Sequence, residues 1–188
     1  MEDAATSPPV GAIVGGDPVL AGAVREALRR EGVEVAERLD AAEGLDILVF
    51  IAREVAASVS FAATRVEDLS GRLGGELKAA FVALQDGVSA MRAKGAGGAV
   101  VFVSPPSADH RAFDALQQGL RLLTKAAALE LGPEGIRVNI VLPGAGDTPL
   151  GRACAPADVA ASVAFAASPR AHFMTGADLV VDGGRLAA

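Results

Sequence analysis

The sequence of 188 residues contains no tyrosine and no tryptophan, and its only lysines are Lys78, Lys94 and Lys125. These absences leave few side chains for acid–base or nucleophilic catalysis, since a phenol is missing altogether and an amine is rare. Cys154 is the single cysteine, which excludes an internal disulfide and a zinc site built from several cysteines. The candidates for catalytic chemistry are therefore few, and no metal site is expected.

Two further absences limit the partners that we expect. Hydrophobic residues make up 51% of the chain, yet no uninterrupted apolar run reaches the roughly 18 residues of a membrane-spanning helix. The net charge is −6 and no basic run is present, which argues against nucleic acid as a partner. The first residues carry acids in place of a basic signal-peptide region, so residues 1–9 are expected to form a flexible tail of a cytoplasmic protein.

Short apolar runs closed by glycines alternate with helical patterns over residues 10–188. Continuous apolar runs are typical of buried parallel strands, whereas apolar residues at a spacing of three to four indicate helices. The alternation predicts one α/β domain with a doubly wound parallel sheet covered on both faces. The predicted strands are 10–16, 33–37, 45–52, 98–104, 136–141 and 178–184, and the predicted helices are 18–32, 75–94, 109–131 and 156–167.

The second half of the chain carries the motifs of a known family. "LTKAAALELGPEGIRVNIVLPG" is followed by "TP", "PADVAASVAFAAS" and "MTGADLVVDGG". In this order the motifs resemble the C-terminal half of the short-chain dehydrogenases/reductases (SDRs), and a weaker resemblance covers the N-terminal third. The resemblance implies a Rossmann-like fold, truncated relative to a full-length SDR. In active members it implies a nicotinamide dinucleotide and hydride transfer between an alcohol and a ketone.

The dinucleotide-binding turn of the family departs from its pattern in this chain. SDRs carry a TGxxxGxG turn, whose missing side chains let the pyrophosphate approach a helix N-terminus. The aligned stretch "VGGDPVLA" retains Gly15, but Val14 replaces the threonine, and Val19 and Ala21 replace the next two glycines. A β-branched valine where the backbone should meet phosphate is a steric block. We therefore expect an ordinary strand-to-helix turn and no cofactor on this chain.

The next cofactor-side motif is altered as well. The family's "NNAG" strand end reads "FIAR", so Phe50 replaces an amide side chain and Arg53 replaces a glycine. Arg53 has two interpretations, which are an anion-binding group and a solvated charge at the strand end. The connection from residues 33–37 to residues 45–52 is also very short for parallel strands, which normally need a dozen residues or more. Either this crossover is unusually tight or residues 33–37 do not form a strand.

The resemblance also implies four catalytic positions, and each holds a different residue type here. Active SDRs use a tyrosine as the general acid/base, a lysine that lowers its pKa, a serine on the preceding strand end and an asparagine on the other long helix. The corresponding residues are Phe113, Gln117, Pro105 (with Ser104 one residue earlier) and Glu76. Glu76 also has a structural interpretation as a solvated helix residue. The joint replacement predicts a pseudoenzyme without SDR hydride transfer.

Other parts of the family's architecture are retained. In SDRs the two long helices, here 75–94 and 109–131, pair with those of another subunit, and the last strand, here 178–184, forms a second contact. The main hypothesis is therefore a non-catalytic subunit of a heteromeric oxidoreductase complex. It would pair with an active SDR that carries NAD(P). A homodimer is the alternative assembly, and whether the C-terminus completes a partner's pocket is left open.

Two other functions compete with this hypothesis. A repurposed, cofactor-independent isomerase or cyclase would use His110 with Glu76 or Asp109 for acid–base chemistry. The structural interpretation of the same residues is that Asp109 caps a helix and His110 is exposed in its first turn. A dinucleotide-binding regulator is the third function. Cys154 is interpreted as a surface or interface thiol, because no basic residue stands obviously beside it.

Overall fold

The computed structural model describes residues 7–53, 65–106 and 111–187. Strands and helices alternate along this part of the chain, as the apolar runs and helical patterns predict. The strands are β1 (Val10–Gly15), β2 (Glu34–Ala36), β3 (Leu45–Ile51), β4 (Gly98–Val103), β5 (Ile136–Pro143) and β6 (Asp178–Val181), and the α-helices are α1 (Pro18–Arg30), α2 (Val66–Lys94), α3 (Arg111–Leu131) and α4 (Pro156–Ala167).

The six strands form one parallel sheet in the order β2-β1-β3-β4-β5-β6. Successive side chains of a strand point to opposite faces, and β3 shows how this builds two cores. Leu48 and Phe50 pack with α2 and α3, whereas Val49 and Ile51 pack with α1 and α4. The predicted doubly wound sheet with helices on both faces is confirmed.

Residues 33–37 contain a true strand, although it is only three residues long. Val10 of β1 pairs with Glu34, and Ala12 pairs with Ala36. The chain then passes β1 and enters β3 through residues 37–44, which include a single 3-10 turn at Leu39–Ala41. This crossover is shorter than usual for parallel strands. It is too short to contain an α-helix.

Helix and strand ends match the local signals in most places. The Asp17 carboxylate accepts a hydrogen bond from the Val19 amide at 2.6 Å and caps α1, with Pro18 as the first helical residue. At the other end of α2, Gly95 adopts φ 71° and terminates the helix as predicted.

Two predicted boundaries differ from the structure by three residues or more. Helix α2 begins at Val66 and not near residue 75, because the glycines in its first turns weaken the helical pattern without preventing the helix. Strand β6 ends at Val181 and not at 184, since Gly183 and Gly184 both adopt positive φ and turn the chain. Residues 109 and 110, predicted to open α3, lie outside the described residues.

Several large apolar side chains remain exposed on the surface. Leu122 and Leu129 of α3 project into solvent, as do Phe81 and Val82 of α2. Phe173, which precedes β6, is almost fully exposed. Within residues 7–53, 65–106 and 111–187, no helix combines the length and apolar character needed to cross a membrane.

Helix α2 gives a direct test of its glycine-weakened first half. A Cβ added at Gly74 would meet nothing within 4 Å. We expect Gly74→Ala to raise the free energy of unfolding by about 0.5–1 kcal/mol, because alanine is the better helix former. Urea unfolding followed by circular dichroism measures this change. Gly87→Ala is the matched control in the same helix and should give no gain, since its Cβ would lie 2.6 Å from Leu48 Cδ2. A loss of stability in Gly74→Ala would contradict the expectation.

Candidate functional site

The carboxyl ends of β1, β3 and β4 meet at one edge of the sheet, and the residues predicted from the dinucleotide and catalytic motifs lie there. Ligands of doubly wound sheets bind in the crevice outside these strand ends. Gly15 closes β1, Arg53 follows β3, and Ser104 follows β4. The contacts of these strand ends define the site.

The turn after β1 is held tightly against β3. Gly15 and Gly16 adopt φ of 78° and 79°. A Cβ at Gly15 would lie 2.5 Å from the Ile51 carbonyl oxygen, and one at Gly16 would lie 2.6 Å from Ile51 Cγ2. Both glycines are therefore explained by packing on β3. Val19 points into solvent from the first turn of α1.

The other side chains around the turn between β1 and α1 pack on the cores or cap the helix. Val14 and Ala21 are half-buried and pack at the edges of the two cores. The Asp17 carboxylate occupies the Val19 amide at the helix N-terminus. The local geometry is that of an aspartate-capped strand-to-helix turn.

Phe50 belongs to the core and not to the edge of the sheet. It is fully buried and meets Phe102 of β4 edge to face, with 6.1 Å between the ring centroids. Such an arrangement is favourable for two aromatic rings. An apolar ring thus replaces the amide that the resemblance places at this position.

Arg53 and Glu76 form an ion pair across the site. The Arg53 backbone amide donates to Glu76 Oε2 at 3.1 Å, and Arg53 Nε donates to Oε1 at 2.8 Å. The Glu76 side chain is only 7% exposed, whereas that of Arg53 is 70% exposed. The interpretation of Glu76 as a solvated helix residue is therefore wrong, because its carboxylate packs against the strand end. Arg53 is a largely exposed charge at the strand end, as one of its two interpretations expects, and it is also paired with Glu76.

A second contact joins the next strand end to the other long helix. Gln117 Nε2 of α3 donates to Ser104 Oγ at 3.2 Å, and Ser104 Oγ donates to the Pro105 carbonyl at 3.0 Å. Ser104 and Pro105 are both buried. The residues at the serine and lysine positions of the resemblance are thus joined through Ser104, the neighbour of Pro105.

The candidates for cofactor-independent catalysis are not brought together by the described structure. His110 and Asp109 lie outside the described residues, and Phe113 is described only as backbone in the first turn of α3. Glu76 is described, but both of its carboxylate oxygens accept hydrogen bonds from Arg53. A general base needs a free acceptor within reach of its substrate.

The loop after β5 is held by an exposed ion pair between Arg152 and Asp158. Arg152 Nη2 lies 2.8 Å from Asp158 Oδ1, and the Ala155 amide donates to Asp158 Oδ2 at 2.8 Å. These contacts lower the pKa of Asp158 to about 2. A cavity of about 590 Å³ lies beside this loop and β6 and includes Cys154 in its lining. Burial raises the pKa of the Cys154 thiol, which agrees with an unreactive thiol.

A wider groove lies on the β2 side of the edge, where the crossover is short. Its volume is about 1050 Å³, and it separates residues 37–42 from the small side chains of α2. Arg38 binds Asp40 with both Nε and Nη2, at 3.0 and 2.7 Å. Within the described ranges, no group of three or more histidine, cysteine or acidic side chains is placed to hold a metal ion.

The sequence motifs indicate the individual site residues but not the pairs Arg53–Glu76 and Ser104–Gln117. Arg53 and Glu76 are 23 positions apart, and Ser104 and Gln117 are 13 apart. No local periodicity links residues at such distances. The appearance of an arginine at the glycine position together with an acid at the asparagine position was the one available signal.

Comparisons with known proteins give a consistent picture. A family model described as enoyl-(acyl carrier protein) reductase matches residues 23–150 and 145–185. A short-chain dehydrogenase/reductase of Hericium erinaceus, eriH, is 32% identical over 180 residues, which cover 81% of this chain and 69% of that protein. The crystal structure of an oxidoreductase of the short-chain dehydrogenase/reductase family from Burkholderia thailandensis superposes with a TM-score of 0.84 at 26% identity. It covers 97% of this chain and 94% of that chain.

Other relatives match over a shorter region. Trans-4-hydroxycyclohexanecarboxylate dehydrogenase of Sinomonas cyclohexanicum is 35% identical over 130 residues, which cover 60% of this chain and 49% of that enzyme. L-rhamnose 1-dehydrogenase of Azotobacter vinelandii is 35% identical over 137 residues and is covered over 54% of its length. The chain thus spans about half the length of these dehydrogenases.

The Asp158 ion pair predicts a pH-dependent stability of the loop after β5. The folded-state pKa of Asp158 is about 2 and lies below its ordinary value of 3.8. The stabilisation is therefore present above the ordinary value and is lost as the pH falls toward the folded value. Asp158→Asn should lower the thermal midpoint at neutral pH, and the difference from wild type should shrink as the pH falls below 3.8. Asp86→Asn, the same charge change on the exposed side of α2, is the control. A difference that grows in acid would contradict the assignment.

Proposed function

This chain belongs to the short-chain dehydrogenase/reductase family, and we propose that it is a non-catalytic subunit that pairs with an active SDR. The partner would bind NAD(P) and perform the oxidation of an alcohol or the reduction of a ketone. This chain would contribute a docking surface and bind no dinucleotide of its own. The assembly is then a heteromeric oxidoreductase complex of an enzyme and a pseudoenzyme.

The observation that carries the proposal is that Arg53, Glu76 and Gln117, which stand at replaced family positions, all hydrogen-bond within the chain. Arg53 contacts Glu76, and Ser104 contacts Gln117, so both side chains of each pair find their partner within the chain. In an enzyme, polar groups at such a site are held ready for the substrate and the cofactor. Here a ligand would have to break an ion pair to reach the Glu76 carboxylate. This favours a site that the chain fills for itself.

The reaction chemistry supports the same proposal. Hydride transfer to a carbonyl requires a proton for the developing alkoxide, and a tyrosine supplies it in active SDRs. The sequence contains no tyrosine, so no shift of alignment can place a phenol in the site. Gln117 is uncharged at the position of the lysine that would lower the phenol's pKa. Both the proton donor and the group that tunes it are replaced.

The docking surface is proposed to lie on the exposed sides of α2 and α3. Leu122 and Leu129 are 68% and 83% exposed, and their separation of two helical turns places them on one face of α3. Phe81 adds an exposed apolar side chain on α2, whereas the exposed Val82 lines the groove on the β2 side of that helix. A large apolar patch on a folded chain is typical of an interaction surface. Val180 of β6, which is half exposed, belongs to the second proposed contact.

The relatives indicate what chemistry the partner would perform. The dehydrogenases of Sinomonas cyclohexanicum and Azotobacter vinelandii act, by their names, on a hydroxylated carboxylate and on a sugar. The first substrate carries a secondary alcohol and the second a hemiacetal, and the name of the second enzyme includes NAD(P)(+). A partner of this class would retain the tyrosine and lysine that are replaced here.

The decisive experiment is purification of the chain from its native source under mild conditions, followed by identification of the proteins bound to it. We expect an SDR with an intact tyrosine and lysine in equal amount, with one NAD(P) per pair. Reconstitution from the two purified chains should restore the same stoichiometry. A chain that purifies as a monomer and binds no SDR would refute the proposal. A stable homodimer that excludes the SDR would refute the heteromeric form.

Substitutions on α3 test the docking surface directly. Leu129→Glu places a charge in the proposed interface and should weaken the affinity for the SDR partner by at least about tenfold, since a buried unpaired charge is costly. The thermal midpoint of the isolated chain should stay unchanged, because Leu129 is 83% exposed. Val19→Glu, at an exposed apolar position on the opposite face of the sheet, is the matched control. Equal affinities for both variants would place the interface elsewhere.

A further inference from the structure

We infer that the replaced site residues form two clamps that fix the docking helices to the carboxyl edge of the sheet. The Arg53–Glu76 pair holds α2, and the Ser104–Gln117 pair holds α3. This inference rests on the proposed function, because it assigns the clamps a role in partner binding. It follows that the docking surface of this chain is positioned without a bound dinucleotide.

The first clamp continues the hydrogen-bond ladder of the sheet into a helix. The Ala52 amide donates to the Val103 carbonyl at 2.9 Å, so β3 is still paired with β4 at this residue. The next amide, that of Arg53, donates to Glu76 and not to a strand. The Arg53 side chain then binds the second oxygen of the same carboxylate. Two hydrogen bonds thus join one strand end to one residue of α2.

The position of Glu76 on α2 makes the clamp an orienting contact. Glu76, Ala80 and Leu84 are all buried and lie four residues apart, on the stripe of α2 that faces the sheet. Phe81 and Val82 lie on the exposed side of the same turns. An α-helix rotates by about 100° per residue, so a slip of one residue would turn the docking side away. A charged, two-point contact resists such a slip better than an apolar stripe, whose packing is non-directional.

The two side chains of the Arg53–Glu76 pair differ in burial, so the substitution of one has a different effect from the substitution of the other. Glu76 is desolvated, whereas the Arg53 side chain is largely hydrated. Removal of the arginine side chain leaves a buried carboxylate that, among the described residues, keeps only the backbone amide of residue 53 as a hydrogen-bond donor, which is an unfavourable state. Removal of the glutamate leaves an arginine that water can solvate. Loss of Arg53 should therefore destabilise this pair more than loss of the cation destabilises an ion pair that is exposed on both sides.

The second clamp repeats the arrangement with neutral groups. The Ser104 amide donates to the Val141 carbonyl at 3.0 Å, so Ser104 is fixed by the sheet. Its hydroxyl oxygen accepts a hydrogen bond from the side-chain amide of Gln117, in the second turn of α3. Leu116 and Leu120 flank Gln117 and are buried, while Leu122 lies on the exposed side. Each docking helix is thus tied to the end of the neighbouring strand by a side chain at a replaced position.

The test compares clamp variants for partner affinity while folding is kept constant. Glu76→Ala should weaken SDR binding by at least about tenfold, as expected for the loss of a charge-assisted contact. Glu76→Gln, which keeps an acceptor oxygen, should recover part of this loss, and Gln117→Ala should weaken binding several-fold. Affinities are measured at a temperature at which circular dichroism shows every variant to be folded. Addition of NADPH to this chain before mixing should change none of these values.

Arg92→Ala is the matched control, since Arg92 also forms an ion pair on α2. Its Nε and Nη2 lie 2.7 and 2.6 Å from the Glu134 carboxylate at the exposed end of the helix. Affinity should stay within about twofold of wild type, as expected for an exposed pair. Equal affinity of Glu76→Ala and wild type for the SDR would overturn the clamp assignment and leave the proposed function intact.

Hydrogen exchange in the isolated chain separates failure of the clamps from failure of the proposed function. Glu76→Ala should speed exchange of the α2 amides around Phe81 by roughly tenfold or more, whereas Arg92→Ala should affect only the last turn. If the wild-type chain binds no SDR, the proposed function fails. The amide exchange rates of Glu76→Ala then still test whether the Arg53–Glu76 pair holds α2. Unchanged exchange in Glu76→Ala would overturn the clamp whether or not a partner binds.

Discussion

The buried carboxylate of Glu76 is the constraint on which the carboxyl edge of this sheet depends. A charge out of water must be compensated, and the two N–H groups of Arg53 are the donors that the structure shows on it. This requirement fixes the backbone after β3, the height of α2 on the sheet and the direction of the Arg53 side chain at once. The neighbouring Ser104–Gln117 contact applies the same logic to β4 and α3. Two contacts within the chain thus join strand ends and helices at an edge that holds ligands in related folds.

Much of the fold could be predicted from the sequence, because its signals are local. The apolar runs of β3 and β4 and the Asp17–Pro18 start of α1 specify elements through periodicity and capping. Boundaries were less certain where composition opposes structure. The glycines at 71, 74 and 75 conceal the first turns of α2, and three paired residues are too few for β2 to stand out. Tertiary packing forms these segments despite weak local preference.

The site was less predictable than the fold, for a physical reason. Resemblance identifies which residue stands at each position but not which atoms meet. The sequence allows Glu76 two interpretations, a solvated helix residue and an acid–base partner of His110, whereas its carboxylate contacts a strand end 23 positions away. Long-range pairing of this kind is decided by the register of the sheet and the height of the helix. The arginine at a family glycine position is explained by its two hydrogen bonds to Glu76.

In the proposed subunit, a site that the chain fills for itself and an exposed helix surface are connected through stability. An apo dinucleotide site leaves polar groups and a crevice that only the ligand satisfies, so an empty subunit would be less well ordered. Replacing those groups by pairs that satisfy each other removes the dependence on ligand concentration. The helices that carry Leu122 and Phe81 are then ordered by the chain alone. A subunit whose task is to present a surface gains from such independence, whereas an enzyme would lose its reaction by it. Under the proposed function, the same two contacts would take the place of SDR chemistry and suit the chain to hold a partner.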